Sequence, residues 1–169
     1  MPLSSTFSRG IMVLVSALLS VSAHAADKAA APTHRIVVYY LHHTFRCASC
    51  NSIESLTKAA VLGGMGENSR HETKLEVPAP FPELSRDGCL SFEPVNVDED
   101  NNKHFLADFA TKGKIPVVVE FSGGKIVRHT CLDQVWELLT DNKALVAYVQ
   151  AAVKDYADRL AATPTTKQE

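Results

Sequence analysis

The chain has 169 residues, with 17 Lys and Arg set against 19 Asp and Glu, a net charge of −2 when histidine is neutral. That balance provides no basic surface for gathering phosphates and argues against nucleic acid as a partner. The length suits one domain with a real core, and no internal repeat interrupts it.

The first 25 residues carry Arg9 as their only formal charge, followed by an apolar stretch from Ile11 to about Ala23 and the small-residue pattern Ala23-His24-Ala25. This is the pattern of a cleaved secretory signal peptide, residues 1–25. The apolar run is shorter than the roughly 20 residues that cross a bilayer, and no cysteine near the cleavage site offers a lipid attachment point, so no stable membrane anchor is expected. Cleavage removes one cation and no acid, taking the net charge from −2 to −3. A small-residue linker, 26–33, then leads into a domain over 34–161 and a polar tail over 162–169. The protein is expected to be exported, periplasmic or secreted. All four cysteines, Cys47, Cys50, Cys89 and Cys131, fall in the exported part, where disulfide chemistry is possible.

Arg35 to Leu41 is a run of β-branched and aromatic residues, the pattern of a strand buried on both faces. Cys47-Ala48-Ser49-Cys50 follows at once. Ile53, Leu56, Ala60 and Val61 then recur at helical spacing until Gly63-Gly64 ends the helix. Met65 to Gly88 is polar and carries Pro78, Pro80 and Pro82, which suggests an extended or partly mobile insertion, 63–88, within the domain. Leu90 to Val97 alternates as a strand, and Pro94 inside it places that strand at a sheet edge, because proline cannot donate to a ladder. Asp98 to Asn102 supplies capping groups and acidic charge for a helix carrying Phe105, Leu106 and Phe109 on one face. Ile115 to Phe121 and Lys125 to Thr130 form a hairpin about Ser122-Gly123-Gly124. A short helix from about Leu132 to Leu139 precedes a last helix, capped by Asp141 or Asn142, with Leu145, Val149, Val153, Tyr156 and Leu160 on its buried face. The expected order is β-α-β-α-β-β-α-α.

Two cysteines three apart across the first turn of a helix can close a small disulfide ring. The first of them meets unpaired backbone N–H groups and the positive end of the helix dipole, which favour a thiolate. Cys47 is therefore the expected nucleophile and Cys50 the resolving thiol, with Arg46 expected to support the Cys47 thiolate by its charge. Dithiol exchange calls for no cofactor, and the partner would be a protein disulfide, a dithiol substrate or a redox partner. The same spacing also serves as half a zinc site, as a soft-metal clamp or as an inert structural disulfide. No second CxxC or spaced histidine pair completes a zinc site. A periplasmic copper-type carrier remains the rival, with Cys47, Cys50 and Cys131 as ligands and His42, His43 and His129 as additional imidazoles. The glycines lack the spacing of a phosphate cradle, and Trp136 suits the core or a groove wall.

The order of elements, with CxxC between the first strand and first helix and proline opening the third strand, resembles thioredoxin. This implies an α/β fold with a central four-stranded mixed sheet, order 2-1-3-4, flanked by helices. Four segments also resemble a narrower thioredoxin-like family, the ArsF family of nitrophenyl-compound nitroreductase subunits. They are Val37 to His42, Phe45 to Glu54, Val95 to Phe105, and Val135 to Leu139. The resemblance implies electron delivery to or from a redox partner. It also implies that Ile115-Pro116 faces the cysteines, with Pro116 cis and both residues binding an extended substrate. Thioredoxins bury an acid at the position held here by Leu41, so no general base is assigned among His42, His43 and Glu54. In a 2-1-3-4 sheet, Cys89 and Cys131 sit on opposite edge strands, too far apart for a disulfide, with Cys131 at the end carrying the cysteine pair.

Overall fold

Strand β1, His34–His42, is buried on both faces because its apolar run alternates between two cores. Ile36, Val38 and Tyr40 point into one, and Val37, Tyr39 and Leu41 into the other. The computed structural model describes residues 32–162; the expected signal peptide, most of the linker and most of the tail lie outside them. Helix α1, Ala48–Leu62, follows β1 and ends at Gly63, whose φ of 79° is a conformation that favours glycine. The order continues with β2 (Gly64–Asn68), β3 (Thr73–Val77), α2 (Pro82–Arg86), β4 (Leu90–Asn96), α3 (His104–Asp108), β5 (Ile115–Ser122), β6 (Lys125–Cys131) and α4 (Asn142–Ala162). Two 3-10 segments, Asp100–Asn102 and Asp133–Thr140, precede α3 and α4.

Four strands form a mixed sheet flanked by helices, with β4 and β6 at its edges and the order β4-β1-β5-β6. β1 runs parallel to β4 and antiparallel to β5, and β5 pairs antiparallel with β6. Counted along the chain this is 4-1-5-6, not the expected 2-1-3-4, because two strands precede the edge strand that was counted second. Those two strands, β2 and β3, form a separate antiparallel hairpin inside the stretch expected to be extended or mobile. Proline 94 lies on the edge strand β4, opposite Tyr40 of β1.

On one face of the sheet, Ile53, Leu56 and Ala60 of α1 close over β1 together with Leu145, Val149, Val153 and Tyr156 of α4. Burying side chains of this size stabilises the fold by about 1.5–3 kcal/mol each before conformational entropy is counted. The opposite face is covered by Phe105, Leu106 and Phe109 around α3, which pack against Tyr39, Val117 and Val119. The Asp141 carboxylate accepts from Ala144 N at 3.0 Å and caps α4.

The hairpin is docked tightly on α1. A Cβ on Gly66 would meet Leu56 Cδ2 at 2.9 Å and Ala59 Cβ at 3.2 Å, so a larger residue there would have to displace Leu56 or move the strand off the helix. Val77, at the far end of β3, joins the core under α1 and α4. Asn68, 1% exposed, pins the turn: its amide donates to Leu139 O at 2.9 Å and to Asn142 Oδ1 at 2.6 Å, while its Oδ1 accepts from the backbone N–H groups of Arg70 and His71. Among the described residues no helix is long and apolar enough to cross a membrane.

Candidate functional site: a cysteine pair at a helix start

Cys47 is the N-cap of α1, with extended backbone (φ −96°, ψ 165°) and its carbonyl already accepting the first helical bond from Asn51 N at 3.0 Å. Its sulfur takes the place of the usual capping oxygen and accepts from Cys50 N at 3.3 Å. Cys50, one turn on, is 1% exposed. The two free thiols bring their sulfurs to 2.6 Å. A disulfide needs about 2.05 Å, so a small rotation of the side chains would bring the sulfurs to bonding distance once two protons and two electrons are given up to an oxidised partner.

The helix start makes the two sulfurs unequal. The Cys50 thiol donating to Cys47 draws the Cys47 pKa below the ordinary cysteine value, and backbone N–H groups of Cys50 and Ser49 add to it. Cys50 is pushed up, first by burial and then by its hydrogen bond to Cys47. Cys47, at the N-cap, and Cys50, buried one turn on, are thus shifted in opposite directions.

Arg46 does not supply the charge expected of it. Its guanidinium pairs with the carboxylate of Glu54, one of the three groups among which no base was assigned, and stands 5.6 Å from the Tyr40 ring. The causes that lower Cys47 are hydrogen bonds to its sulfur, and Arg46 is not among them. Proximity in sequence suggested a stabiliser, but Glu54 on the second turn of α1 neutralises it.

Pro116 lies opposite Tyr40 across the β1–β5 ladder, and the Tyr40 hydroxyl donates to Cys50 O at 2.8 Å. Burial raises the Tyr40 pKa well above the ordinary tyrosine range, so the phenol stays a donor. The expected cis bond is absent: no peptide bond among the described residues is cis. The Pro116 carbonyl accepts from Leu132 N at 2.9 Å, so that acceptor is already engaged. Ile115, 5% exposed, pairs with Leu41 in the core on the α3 face, away from α1.

Cys131 lies at the same end of the sheet as the pair but on the other face. It stands opposite Val117, packs in the α3-side core, and directs its sulfur to Phe109 O at 3.5 Å. The ligand set Cys47, Cys50 and Cys131 is therefore not assembled, and among the described residues no three His, Cys, Asp or Glu side chains gather as a metal-holding group. Cys89 precedes β4 on the opposite edge from β6; its carbonyl accepts from Ile36 N at 2.7 Å.

Three further features of the site escaped the sequence reading. Ser49, between the cysteines and 8% exposed, accepts at 3.0 Å from Nη1 of Arg70 in the hairpin turn. Asp98 does not cap a helix: one carboxylate oxygen accepts from Thr44 N at 2.8 Å and the other lies 2.7 Å from His43 Nδ1. Nε2 of His43 lies 3.1 Å from Lys112 O, so both ring nitrogens face acceptors and the imidazolium alone satisfies both. Lys114, with φ 62°, offers its carbonyl to Trp136 Nε1 at 2.9 Å, which places Trp136 at the surface instead of in the core. No spacing rule links Ser49 to Arg70 or Thr44 to Asp98; only the docked hairpin and the β1–β4 pairing bring them together. In comparisons with protein-family models, with curated proteins and with solved structures, the chain matches none.

Proposed function

We propose that the protein is an exported thiol–disulfide oxidoreductase, or an electron-transfer subunit, of thioredoxin-like architecture, that exchanges disulfides with a protein partner through Cys47 and Cys50. One observation carries the reading: two free thiols 2.6 Å apart at a helix start, the outer one shifted toward thiolate and the buried one away from it. The mixed sheet with CxxC between its central strand and α1 supports the thioredoxin-like assignment, and the apolar leader supports export. Resemblance to the nitroreductase-subunit family fits electron delivery.

In the reductive direction the Cys47 thiolate attacks one sulfur of the partner's disulfide. A Cys47–partner bond forms, the partner's S–S bond breaks, and the departing sulfur leaves as a thiolate. Cys50 then loses its proton to solvent and attacks Cys47 Sγ, forming the Cys47–Cys50 disulfide and releasing the second partner thiolate. Two electrons pass from the protein dithiol to the partner, whose two thiolates take protons from solvent. Oxidation of a dithiol partner follows the same path in reverse.

The test is mass spectrometry of purified protein with and without reductant, together with partner trapping. The dithiol and disulfide forms should differ in mass by two hydrogen atoms, that is two protons and two electrons, located to the peptide holding Cys47 and Cys50. Cys47→Ser should abolish exchange, whereas Cys50→Ser should accumulate a mixed disulfide. Equal trapping by both variants would overturn the assignment of roles.

A further inference from the structure

The Gly64–Val77 hairpin delivers one side chain, Arg70, to Ser49, the residue before Cys50 in the first turn of α1. Asn68 fixes the turn from within, Ser52 Oγ accepts from Arg70 N at 3.3 Å while donating to Ala48 O at 2.8 Å, and Ser55 Oγ accepts from Glu67 N at 2.9 Å. The hairpin is thus tied to the first two turns of α1, and Arg70 reaches Ser49 between the two cysteines. Five N–H donors belong to a guanidinium, and this contact uses one of them on a neutral hydroxyl. The other cation beside the cysteines, Arg46, is matched by Glu54, whereas among the described residues Arg70 has no ion pair. Lys114, half-buried and in left-handed backbone, is a further cation near enough to act on Cys50.

We infer that Arg70 is a specificity-determining residue that binds a carboxylate lying next to the disulfide of the partner, so that the hairpin selects acidic disulfide substrates for Cys47. The inference rests on the dithiol reading above. A planar fork with free donors suits a carboxylate, and its place beside Ser49 sets that carboxylate against the first turn of α1, the turn that Cys47 caps.

Pre-reduced full-length protein can be mixed in single-turnover experiments with three small disulfides: dithiodipropionate, a dianion; hydroxyethyl disulfide, neutral; and cystamine, a dication. Arg70→Ala should slow reaction with dithiodipropionate about fivefold, the scale of one exposed charge pair, and leave hydroxyethyl disulfide within about twofold. Reaction with cystamine should speed up. Arg70→Lys should keep most of the preference, and Arg70→Glu should reverse it. The pH profile of Cys47 alkylation should stay unchanged in all three variants, which a role in thiolate stabilisation would not allow. If all three probes slow equally, or none responds, the Arg70 assignment falls while dithiol exchange stands. If wild-type protein exchanges with no probe, both fall together.

Discussion

Replacing Asn68 by alanine tests whether the hairpin is the rigid element that the site requires. The Asn68 side chain makes four polar contacts, of unequal weight. Arg70 N retains Ser52 Oγ and His71 N retains the Asn68 backbone carbonyl at 3.2 Å, so both donors keep a partner after truncation. Leu139 O and Asn142 Oδ1 lose a donor, and Leu139 is 4% exposed. At about 1 kcal/mol for each lost bond, plus about 1–2 kcal/mol for a carbonyl stranded away from water, Asn68→Ala should cost roughly 3 kcal/mol. For a domain of this size that corresponds to a fall in Tm of about 10 °C. Asn68→Asp should be at least as damaging at neutral pH, because a carboxylate would replace the amide donor facing two acceptor oxygens. Urea unfolding followed by circular dichroism measures both. A loss below about 0.5 kcal/mol for Asn68→Ala would mean that the hairpin does not depend on this pin, and would refute its role in holding Arg70.

Two other perturbations have directions fixed by the structure. Cys50→Ala removes the thiol donor that contributes most to lowering Cys47, so the midpoint of the pH profile for Cys47 alkylation should move up; an unchanged midpoint would show that the backbone N–H groups alone hold the thiolate. Asp98→Asn should lower the His43 pKa, which the Asp98 hydrogen bond raises, as read from the imidazole proton shifts. The sign follows for both partners. His43 contributes stability that is full below about pH 6.5 and is lost as pH rises through its raised value. Asp98, held down to about 2 chiefly by His43, contributes stability that is present above about pH 4 and is lost as pH falls toward 2. The tie is therefore strongest between about pH 4 and 6.5, and a stability profile rising from pH 6 to 8 by way of this pair would contradict it.

What was legible in the chain followed from patterns that a single element must satisfy by itself. β1 announced itself because a strand buried on both faces needs an unbroken apolar run, and α4 because Leu145, Val149 and Val153 repeat at helical spacing. Pro94 marked an edge because the ladder has no use for a residue without an N–H. The hairpin was illegible for the opposite reason. Gly64, Met65 and Glu67 face outward, Gly66 contributes no side chain, and the strand is specified by a close approach to Leu56 and Ala59 that no local pattern encodes. The same gap misassigned Arg46, whose partner Glu54 lies beyond any spacing rule because Arg46 precedes the helix. Pro116 was misread as cis by analogy of position; the sequence carries no local signal for that isomer.

The charges around the cysteines separate two tasks that a sequence reading merges. Hydrogen bonds at the helix start, at 3.3 Å from Cys50 N and through the Cys50 thiol, bias Cys47 toward thiolate. Bonds of that length act inside the first turn and are insensitive to ionic strength. Arg46, the cation nearest in sequence, is held by Glu54 and contributes little net charge to the site. Arg70 is exposed, has no ion pair among the described residues and arrives from a separate sheet, so its pull on an anionic partner is screened over about 8 Å at physiological salt. Reactivity and selectivity should therefore part company as salt rises. The intrinsic rate of Cys47 would hold while the preference for an acidic disulfide declined. A protein that kept its reactive cysteine primed by backbone geometry and its recognition on an added hairpin could change partners by altering the turn at Arg70, without disturbing the chemistry at Cys47.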